Sequence, residues 1–398
     1  MPQVLIASDK FKGSLTAAEV GDAVARGLRR ARSDITAISQ PVADGGDGTV
    51  AAAVAAGYRL VPVVAAGPTG RAVRSGYARR GDTAVVELAD VAGLVRLPDG
   101  RPAPLTATSR GAGELIAAAV DDGCTRIVLG IGGSASTDGG SGLVRALGAV
   151  VLDAHDTEVG EGGAGLDAAV TVDVTALRRR MSGVEVVVAC DVDNPLTGPQ
   201  GAAAVYGPQK GANALQVTQL ETALAHWADV VAEATGTDQR QAAGAGAAGG
   251  VGFAALALLD ARLQPGIELV LDMIGFQDRL AQADLVVTGE GMLDEQTLHG
   301  KAVAGVAAAA RAAGIPVVAV CGRNVLDAGT LAAVGIEAAY ALTDVEPDLD
   351  RCLTEGGPLL SVLGQRIAAA HLGGSKKTSA EVWTGRSNRP TSIPYGMQ

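Results

Sequence analysis

Short apolar runs alternate with alanine-rich helical stretches at both ends of this chain, and this alternation limits its fold more than any other feature. Near the start, the pattern predicts a strand at Val4–Ser8, a helix at Thr16–Ala31 that begins with a capping box of Thr16 and Glu19, and a strand at Ile35–Val42. Near the end, it predicts strands at 284–288, 316–321 and 337–342, with helices at 302–313 and 330–334 between them. Such alternation is typical of a parallel sheet whose strands are joined by crossover helices, so we expect an α/β protein.

The chain has 398 residues, more than one hydrophobic core usually supports. Two strands at the front and three at the back make up a flavodoxin-like doubly wound sheet if the middle of the chain is an insertion. We therefore predict a discontinuous flavodoxin-like domain, residues 1–60 plus 281–372, interrupted by a second α/β domain, residues 61–280. Within the insertion, the elements predicted are strands at 84–88, 126–130, 149–152 and 185–189 and helices at 113–120 and 215–233. Residues 373–398, rich in Gly, Ser, Thr and Pro, are predicted to be a flexible tail.

Charge and cysteine content narrow the classes of partner and compartment. The formal net charge is −11 and aromatic residues make up 3% of the chain, so we expect neither nucleic acid nor an anionic membrane as a partner. The four widely spaced cysteines sit beside apolar runs and there is no signal-peptide pattern, so a cytoplasmic location is predicted. A small-molecule ligand is therefore the favoured partner. No motif encodes the oligomeric state, and a homo-oligomer is compatible with the sequence.

Glycine-rich acidic segments follow three strands of the predicted flavodoxin-like sheet. They are Ser8–Ser14, Ala43–Thr49 and Thr288–Asp294. Ligands of doubly wound sheets bind at the carboxyl ends of the strands, where glycine lets the backbone approach a ligand and carboxylates can hold a hard cation. Any one Asp-Gly pair is ordinary turn chemistry, but three such segments at one sheet edge predict a metal–phosphate ligand.

The insertion contributes three further segments of this kind. Residues 130–140 form a glycine- and serine-rich passage between a strand and a helix, suited to a nest of backbone N–H donors for phosphate. Asp191 and Asp193 follow the strand at 185–189, a spacing that suits metal binding or a general base. Lys210, in the segment 207–211, offers a point charge for phosphate, as do Lys10, Lys12 and Lys301.

Two other functions compete with a phosphate-transferring enzyme. Gly130, Gly132 and Ala135 match the dinucleotide pattern after a strand, with Asp153 about twenty residues on, which keeps an NAD-dependent hydroxy-acid dehydrogenase open. The third hypothesis is a non-catalytic regulator that binds a metabolite, although the sequence has no DNA-binding helix pattern or basic arm through which such a regulator could act. Walker and protein-kinase signatures are absent from the sequence.

Eight segments together resemble the type I glycerate kinase family. They are DKFKGSL (9–15), ADGGDGT (43–49), GIGGSASTDGG (130–140), CDVDNPLTGPQGA (190–202), GPQKGA (207–212), GAAGG (246–250), PGIELVLD (265–272) and TGEGMLDEQTLHGK (288–301). The departures are small: Lys10 stands where many members have Ser, and Ser136-Thr137-Asp138 replaces a more usual Thr-Asn-Asp. The resemblance implies ATP-dependent phosphorylation of D-glycerate with Mg²⁺ in a cleft between two α/β domains, feeding glyoxylate or other organic-acid catabolism.

The resemblance and the chemistry of phosphoryl transfer suggest roles for particular residues. The catalytic candidates are Asp191, Asp44, Lys10 and Lys210, with Asp191 or Asp44 accepting the hydroxyl proton. The candidates for binding substrate or phosphate are Asp9, Lys12, Ser14, Gly45, Gly46, Gly132, Gly133, Ser134, Asn194, Gln209 and Lys301. The candidates for Mg²⁺, directly or through water, are Asp47, Asp193, Glu290 and Asp294. The resemblance implies 2-phosphoglycerate as the product, and phosphorylation of the 3-hydroxyl to 3-phosphoglycerate remains the alternative.

Overall fold

The structure is a computed structural model that describes residues 1–298 and 301–373. In chain order, its strands are β1 (Gln3–Ser8), β2 (Thr36–Ser39), β3 (Arg59–Ala66), β4 (Ala72–Arg80), β5 (Thr83–Glu87), β6 (Arg126–Gly130), β7 (Val150–Leu152), β8 (Thr171–Asp173), β9 (Glu185–Ala189), β10 (Arg262–Gln264), β11 (Leu285–Leu293), β12 (Val317–Asn324) and β13 (Ala338–Ala341). Its α-helices are α1 (Ala17–Ala31), α2 (Thr49–Ala55), α3 (Ala89–Ala92), α4 (Arg110–Asp121), α5 (Ser141–Ala146), α6 (Thr175–Arg180), α7 (Ala202–Tyr206), α8 (Ala214–Thr235), α9 (Ala247–Leu258), α10 (Gly266–Met273), α11 (Phe276–Leu280), α12 (Ala302–Ala312), α13 (Ala328–Ala333), α14 (Leu349–Thr354) and α15 (Gly356–His371). The predicted tail falls almost wholly outside the described residues.

The first sheet has five parallel strands in the order β2-β1-β11-β12-β13. Renumbered within the sheet this is 2-1-3-4-5, the flavodoxin-like order, so the predicted fold class is confirmed. The inner strands β1 and β11 are buried on both faces over most of their length, which explains why residues 4–7 and 285–287 are continuous apolar runs rather than alternating ones. Helix α1 begins with the predicted capping box, in which Thr16 and Glu19 each accept a backbone N–H of the other.

The second sheet has six strands in the order β10-β9-β6-β5-β4-β3, of which β3 and β4 pair antiparallel to their neighbours. The strands β5, β6 and β9 were predicted, whereas β3 and β4 were not. Pro62 interrupts the strand pattern of β3, and the structure tolerates it because β3 lies at the sheet edge. The predicted strand at 149–152 exists as β7, but it pairs with β8 in a separate two-stranded sheet.

The two sheets share one layer of buried apolar side chains. Helices α2 and α10 pack on strands of the second sheet, α12 packs on strands of the first, and α10 contacts both other helices. The resulting cluster joins Leu5 and Val286 of the first sheet to Val85 and Val128 of the second. The domain boundaries at 60 and 281 stay a prediction. None of the helices in the described ranges combines the length and the apolar character that a bilayer span requires.

Helix α15 packs against α1 through glycines and holds α14 beside the carboxyl edge of the first sheet. A Cβ on Gly27 of α1 would lie 2.1 Å from the carbonyl oxygen of Ser361 and 2.9 Å from the Cα of Gly364. Two helix backbones can approach so closely only where side chains are missing. Gly357, at the start of the same helix α15, has free space, because a Cβ there would meet only the Arg26 guanidinium at 3.9 Å.

We expect Gly27→Ala to lower the free energy of unfolding by about 2 kcal/mol, because forced overpacking outweighs the better helix propensity of alanine. Gly357→Ala is the matched control and should leave stability unchanged or slightly raised. Urea unfolding followed by circular dichroism measures both. Equal stability of the two variants would contradict the close packing of α1 on α15.

Candidate active site

Loops from the two sheets meet with almost no space between their backbones. A Cβ on Gly132, which follows β6, would lie 2.6 Å from the Cα of Gly46, which follows β2. A Cβ on Gly266, the first residue of α10, would lie 1.9 Å from the carbonyl oxygen of Asp44. Glycine is therefore required at both contacts. The contact at Gly132 brings the acidic loop of the first sheet, residues 43–49, against the glycine- and serine-rich loop of the second sheet, residues 130–140.

Two cavities open where these loops meet. The smaller has a volume of about 380 Å³, and the candidate residues that line it are Lys12, Asp44, Gly45, Gly46, Gly132, Gly133, Ser134, Asp191, Gln209 and Lys210. The larger has a volume of about 710 Å³, and the candidates that line it are Asp9, Lys10, Lys12, Ser14, Asp44, Gly46, Asp47, Gly132, Gly133, Glu290, Asp294 and Lys301. Five residues border both cavities: Lys12, Asp44, Gly46, Gly132 and Gly133. The cavities are thus neighbouring parts of one site.

Two candidates lie apart from this site. Asp193 is exposed and borders neither cavity. The side-chain amide of Asn194 donates to the carbonyl of Gln200 at 2.8 Å, and its oxygen accepts from the hydroxyl of Tyr206 at 2.6 Å. The structure therefore does not bring these two side chains to the cavities, because the loop after β9 turns back on itself beyond Asp191. Tyr206 does border the smaller cavity, so Asn194 contacts a residue of the cavity wall without bordering the cavity itself.

Asp191 stands at the wall of the smaller cavity. One carboxylate oxygen accepts the backbone N–H of Gly266 at 2.7 Å, which fixes the side chain at the start of α10. Partial burial raises the pKa of Asp191 to about 6; the Gly266 N–H opposes this rise, and the negative charges of Asp44 and Glu268 add to it. A carboxylate with such a pKa is ionised at neutral pH and is basic enough to accept a proton.

Asp9, Lys10 and Asp47 form an ion cluster in the larger cavity. The Lys10 ammonium donates to the carbonyl of Asp47 and lies 3.5 Å from that residue's carboxylate and 3.8 Å from Asp9. Burial raises the pKa of Asp9 to about 6, although Lys10 partly opposes the rise. Burial disfavours the charged form of Lys10, but the attraction of Asp9 and Asp47 outweighs it, so the pKa of Lys10 is raised. This cation stays charged and is fixed beside the loops.

Lys210 is buried, with 3% of its surface exposed, and its ammonium donates to the Ser134 hydroxyl at 3.0 Å and to the Ser136 carbonyl. Burial lowers the pKa of Lys210 to about 7, against the attraction of Asp138. Asp138 is itself fully buried and accepts hydrogen bonds from the backbone of Ser109, Gly140 and Gly142. An anionic ligand in the cavity would therefore stabilise the ammonium form of Lys210.

Two buried carboxylates that organise the loops were not among the predicted site residues. One is Asp138, quoted only within its motif. The other is Glu87, at the end of β5, which accepts the backbone N–H groups of Gly48 and Val50 at 3.0 and 3.1 Å and so links the second sheet to the acidic loop of the first. Burial raises the pKa of Glu87 to about 7. The sequence signal that could have identified Glu87 is that it is the single acidic residue in an otherwise apolar predicted strand, residues 84–88.

The carboxylates of the larger cavity fit Mg²⁺ that arrives with phosphate. Within the residues that the structure describes, no three His, Cys, Asp or Glu side chains are grouped so as to hold a metal ion by themselves. Among those same residues, however, the buried Oε1 of Glu290 has no hydrogen-bond partner, and the charges of Asp44 and Glu290 both raise the pKa of Asp9. Mg²⁺ usually takes one or two carboxylates and completes its shell with phosphate oxygens and water, which this donor set allows.

The acidic residue that accompanies the dinucleotide pattern of residues 130–135, Asp153, does not lie where an NAD-binding site requires it. Asp153 lies at the end of β7, which pairs with β8 and not with β6, the strand before the glycines. Its carboxylate accepts the backbone N–H groups of His155 and Thr157, which makes it part of a turn. An acidic residue placed there does not stand beside a ribose bound at residues 130–135.

Comparisons with known proteins agree with the resemblance seen in the sequence. The model of the glycerate kinase family matches residues 4–372. A glycerate kinase of Bacillus subtilis is 42% identical over 371 residues, which cover 92% of this chain and 97% of that protein. A glycerate 2-kinase of Escherichia coli is 41% identical with the same coverage of both chains.

A solved structure supports the same assignment. The crystal structure described as glycerate kinase 2 from Salmonella typhimurium LT2 has a TM-score of 0.80 and 41% sequence identity, and the match covers 92% of this chain and 97% of that one. Residues 4–372, which the family model matches, include all the residues that line the two cavities. On this agreement of sequence and structure, the chain belongs to the glycerate kinase family.

Proposed function

We propose that this protein transfers the γ-phosphoryl group of ATP to the 2-hydroxyl of D-glycerate and so forms 2-phosphoglycerate. The observation that carries the proposal is the pair of adjoining cavities, which share a border of one lysine, one aspartate and three glycines. Phosphoryl transfer needs a donor and an acceptor held in line more than it needs covalent chemistry from the protein. The family and the name of the Escherichia coli relative support this acceptor and this hydroxyl.

The charged groups of the site have two kinds of role: the lysines bind the anionic parts of the substrates, and Asp191 accepts a proton. Lys12, at the shared border, is suited to neutralise the transferring phosphoryl group, while Lys10 and Lys301 face the rest of the polyphosphate in the larger cavity. Lys210 would hold the carboxylate of glycerate, whose negative charge favours the ammonium form of this buried lysine. Asp191 would accept the proton of the attacking hydroxyl, since it borders the smaller cavity and has a raised pKa.

Asp44 and Glu290 would hold Mg²⁺ together with phosphate oxygens, with Asp47 and Asp294 acting through water. When bound, the metal neutralises charge on the polyphosphate and orients it. Asp44 was the other candidate for the base. We assign it to Mg²⁺ instead, because it borders both cavities and a metal ligand has to lie where the donor phosphate meets the acceptor. The place of the reaction in organic-acid or glyoxylate catabolism and a cytoplasmic location stay predictions.

The reaction and its position can be tested together by ³¹P NMR of a mixture of the protein, ATP, Mg²⁺ and D-glycerate. We expect a new phosphomonoester resonance that coincides with added 2-phosphoglycerate and that fails to appear when Mg²⁺ is chelated. A signal that coincides with 3-phosphoglycerate would reverse the assignment of the hydroxyl. No phosphoester from this mixture, together with reduction of NAD in a parallel mixture that holds NAD in place of ATP, would overturn the proposal.

Asp191→Asn keeps the size of the side chain and one acceptor for the Gly266 N–H but removes the base. We expect kcat to fall by about 10² to 10⁴, the usual contribution of a positioned base. The control is Asp272→Asn, an exposed carboxylate on the same helix α10 that borders neither cavity, and it should leave kcat unchanged. If Asp191→Asn were as active as the control, Asp191 would leave the catalytic list.

Asp191 and Asp9 both have a pKa of about 6, so the pH profiles of variants are needed to show which of them is the base. A base must be ionised to work, so kcat/KM for glycerate should fall as the pH drops below about 6. We expect this acid limb to persist in Asp9→Asn and to vanish from the residual activity of Asp191→Asn. The opposite result, with the limb lost in Asp9→Asn alone, would assign the base to Asp9.

A further inference from the structure

We propose that an apolar wall in the larger cavity binds the purine base of ATP, which leaves the smaller cavity to glycerate; this inference rests on the proposed function and assigns its two substrates to two places. The apolar wall consists of Phe11, Met292, Leu342, Leu349, Cys352 and Leu353. None of these six residues was a candidate in the sequence. Three of them, Leu349, Cys352 and Leu353, come from helix α14.

The wall presents large apolar side chains to solvent at the cavity. Met292 is 44% exposed, Leu349 53% and Leu353 52%. A single exposed leucine is ordinary on a protein surface, but apolar side chains grouped around a cavity mark a ligand contact. Positions 349, 352 and 353 are spaced i, i+3 and i+4, so α14 turns one face toward the cavity. A flat aromatic ring is the part of either substrate that such a face can bury.

The polar side of the same cavity matches the rest of a nucleotide. Lys10, Lys12 and Lys301 line it, and they supply the positive charge that a polyphosphate chain needs. The hydroxyl of Ser14 donates to the carbonyl of Leu353 at 2.5 Å, which ties α14 to the loop that carries Lys10 and Lys12. The surface for the base and the lysines for the phosphates are therefore held together as one unit.

Size and chemistry assign the smaller cavity to glycerate. Its volume of about 380 Å³ is roughly half that of the larger cavity, about 710 Å³, and a three-carbon acid is much smaller than a nucleotide. Ser134, Asp191 and Lys210 line it, and these groups can bond the hydroxyls and the carboxylate of a small acid. The two cavities touch at Lys12 and Asp44, where the terminal phosphate would meet the acceptor.

The test compares nucleotide binding with binding of the phosphate chain alone. The variant Leu349→Ala/Leu353→Ala removes two exposed side chains, so folding should be preserved, and Leu215→Ala is the control, since Leu215 is 83% exposed and borders neither cavity. Calorimetry with Mg²⁺ should show ADP bound about tenfold more weakly by the double variant, as expected for the loss of buried apolar contact. Binding of inorganic tripolyphosphate and the KM for D-glycerate should stay at the wild-type values.

Each other outcome is decisive. Equal weakening of ADP and tripolyphosphate would mean that α14 only supports the phosphate loop, and unchanged ADP binding would mean that the wall has no part in nucleotide binding. A raised KM for D-glycerate with normal ADP binding would mean that the cavities are used the other way round. Wild-type protein that binds ADP, with the double variant weakened, but that phosphorylates no glycerate would overturn the proposed function and leave the nucleobase site standing.

Discussion

The close approach of glycine backbones from the two sheets is the contact on which the rest of the site depends. Gly132 lies against Gly46, and Gly266 lies against the carbonyl of Asp44, at separations that leave no room for a Cβ. These contacts set the border between the two cavities. Glu87 adds a second link between the sheets, because this residue of β5 in the second sheet accepts backbone N–H groups from the end of the first sheet's acidic loop. The shared layer formed by α2, α10 and α12 keeps the sheets in this relation.

Several ionisable groups around this border are held in surroundings that oppose their charged forms. Burial raises the pKa values of Asp9, Glu87 and Asp191 and lowers that of Lys210, so each of these groups is held in an environment that opposes its charged form. Such perturbed groups cluster at functional sites, and here their arrangement matches the ligands proposed. In the proposed function, a divalent cation would offset the carboxylates of the larger cavity, and the carboxylate of glycerate would offset Lys210 in the smaller one.

The sequence predicted those parts of the fold that local patterns determine. The strands β6 and β9 have the predicted bounds, and the capping box of α1 is present, because apolar runs and capping residues act over a few positions. The strands β3 and β4 were not predicted, since Pro62 and several arginines break the strand pattern and only tertiary pairing, of β3 with β4 and of β4 with β5, makes strands of them. The predicted strand Ile35–Val42 shortens to Thr36–Ser39, because the chain leaves the sheet before the acidic loop.

At the site, too, local sequence patterns predicted which loops take part, but not the features that depend on tertiary structure. Acidic and glycine-rich loops could be assigned to the site because parallel strands of one sheet end at the same edge, and seventeen of the nineteen candidates line a cavity. Asp193 and Asn194 border neither cavity, because the direction in which their loop turns back cannot be predicted from its residue types. The apolar wall could not be predicted, because a leucine on a short helix has the same sequence pattern whether it is buried or exposed, and only the tertiary structure leaves Leu349 and Leu353 exposed.

A crystal structure with Mg²⁺, a non-hydrolysable ATP analogue and D-glycerate tests the central claim most directly, namely that one border joins the donor to the acceptor. We predict the terminal phosphate between the loops at 44–46 and 132–133, with the 2-hydroxyl of glycerate within hydrogen-bond reach of Asp191. A triphosphate bound elsewhere, or glycerate separated from it by the backbone of these loops, would contradict this account.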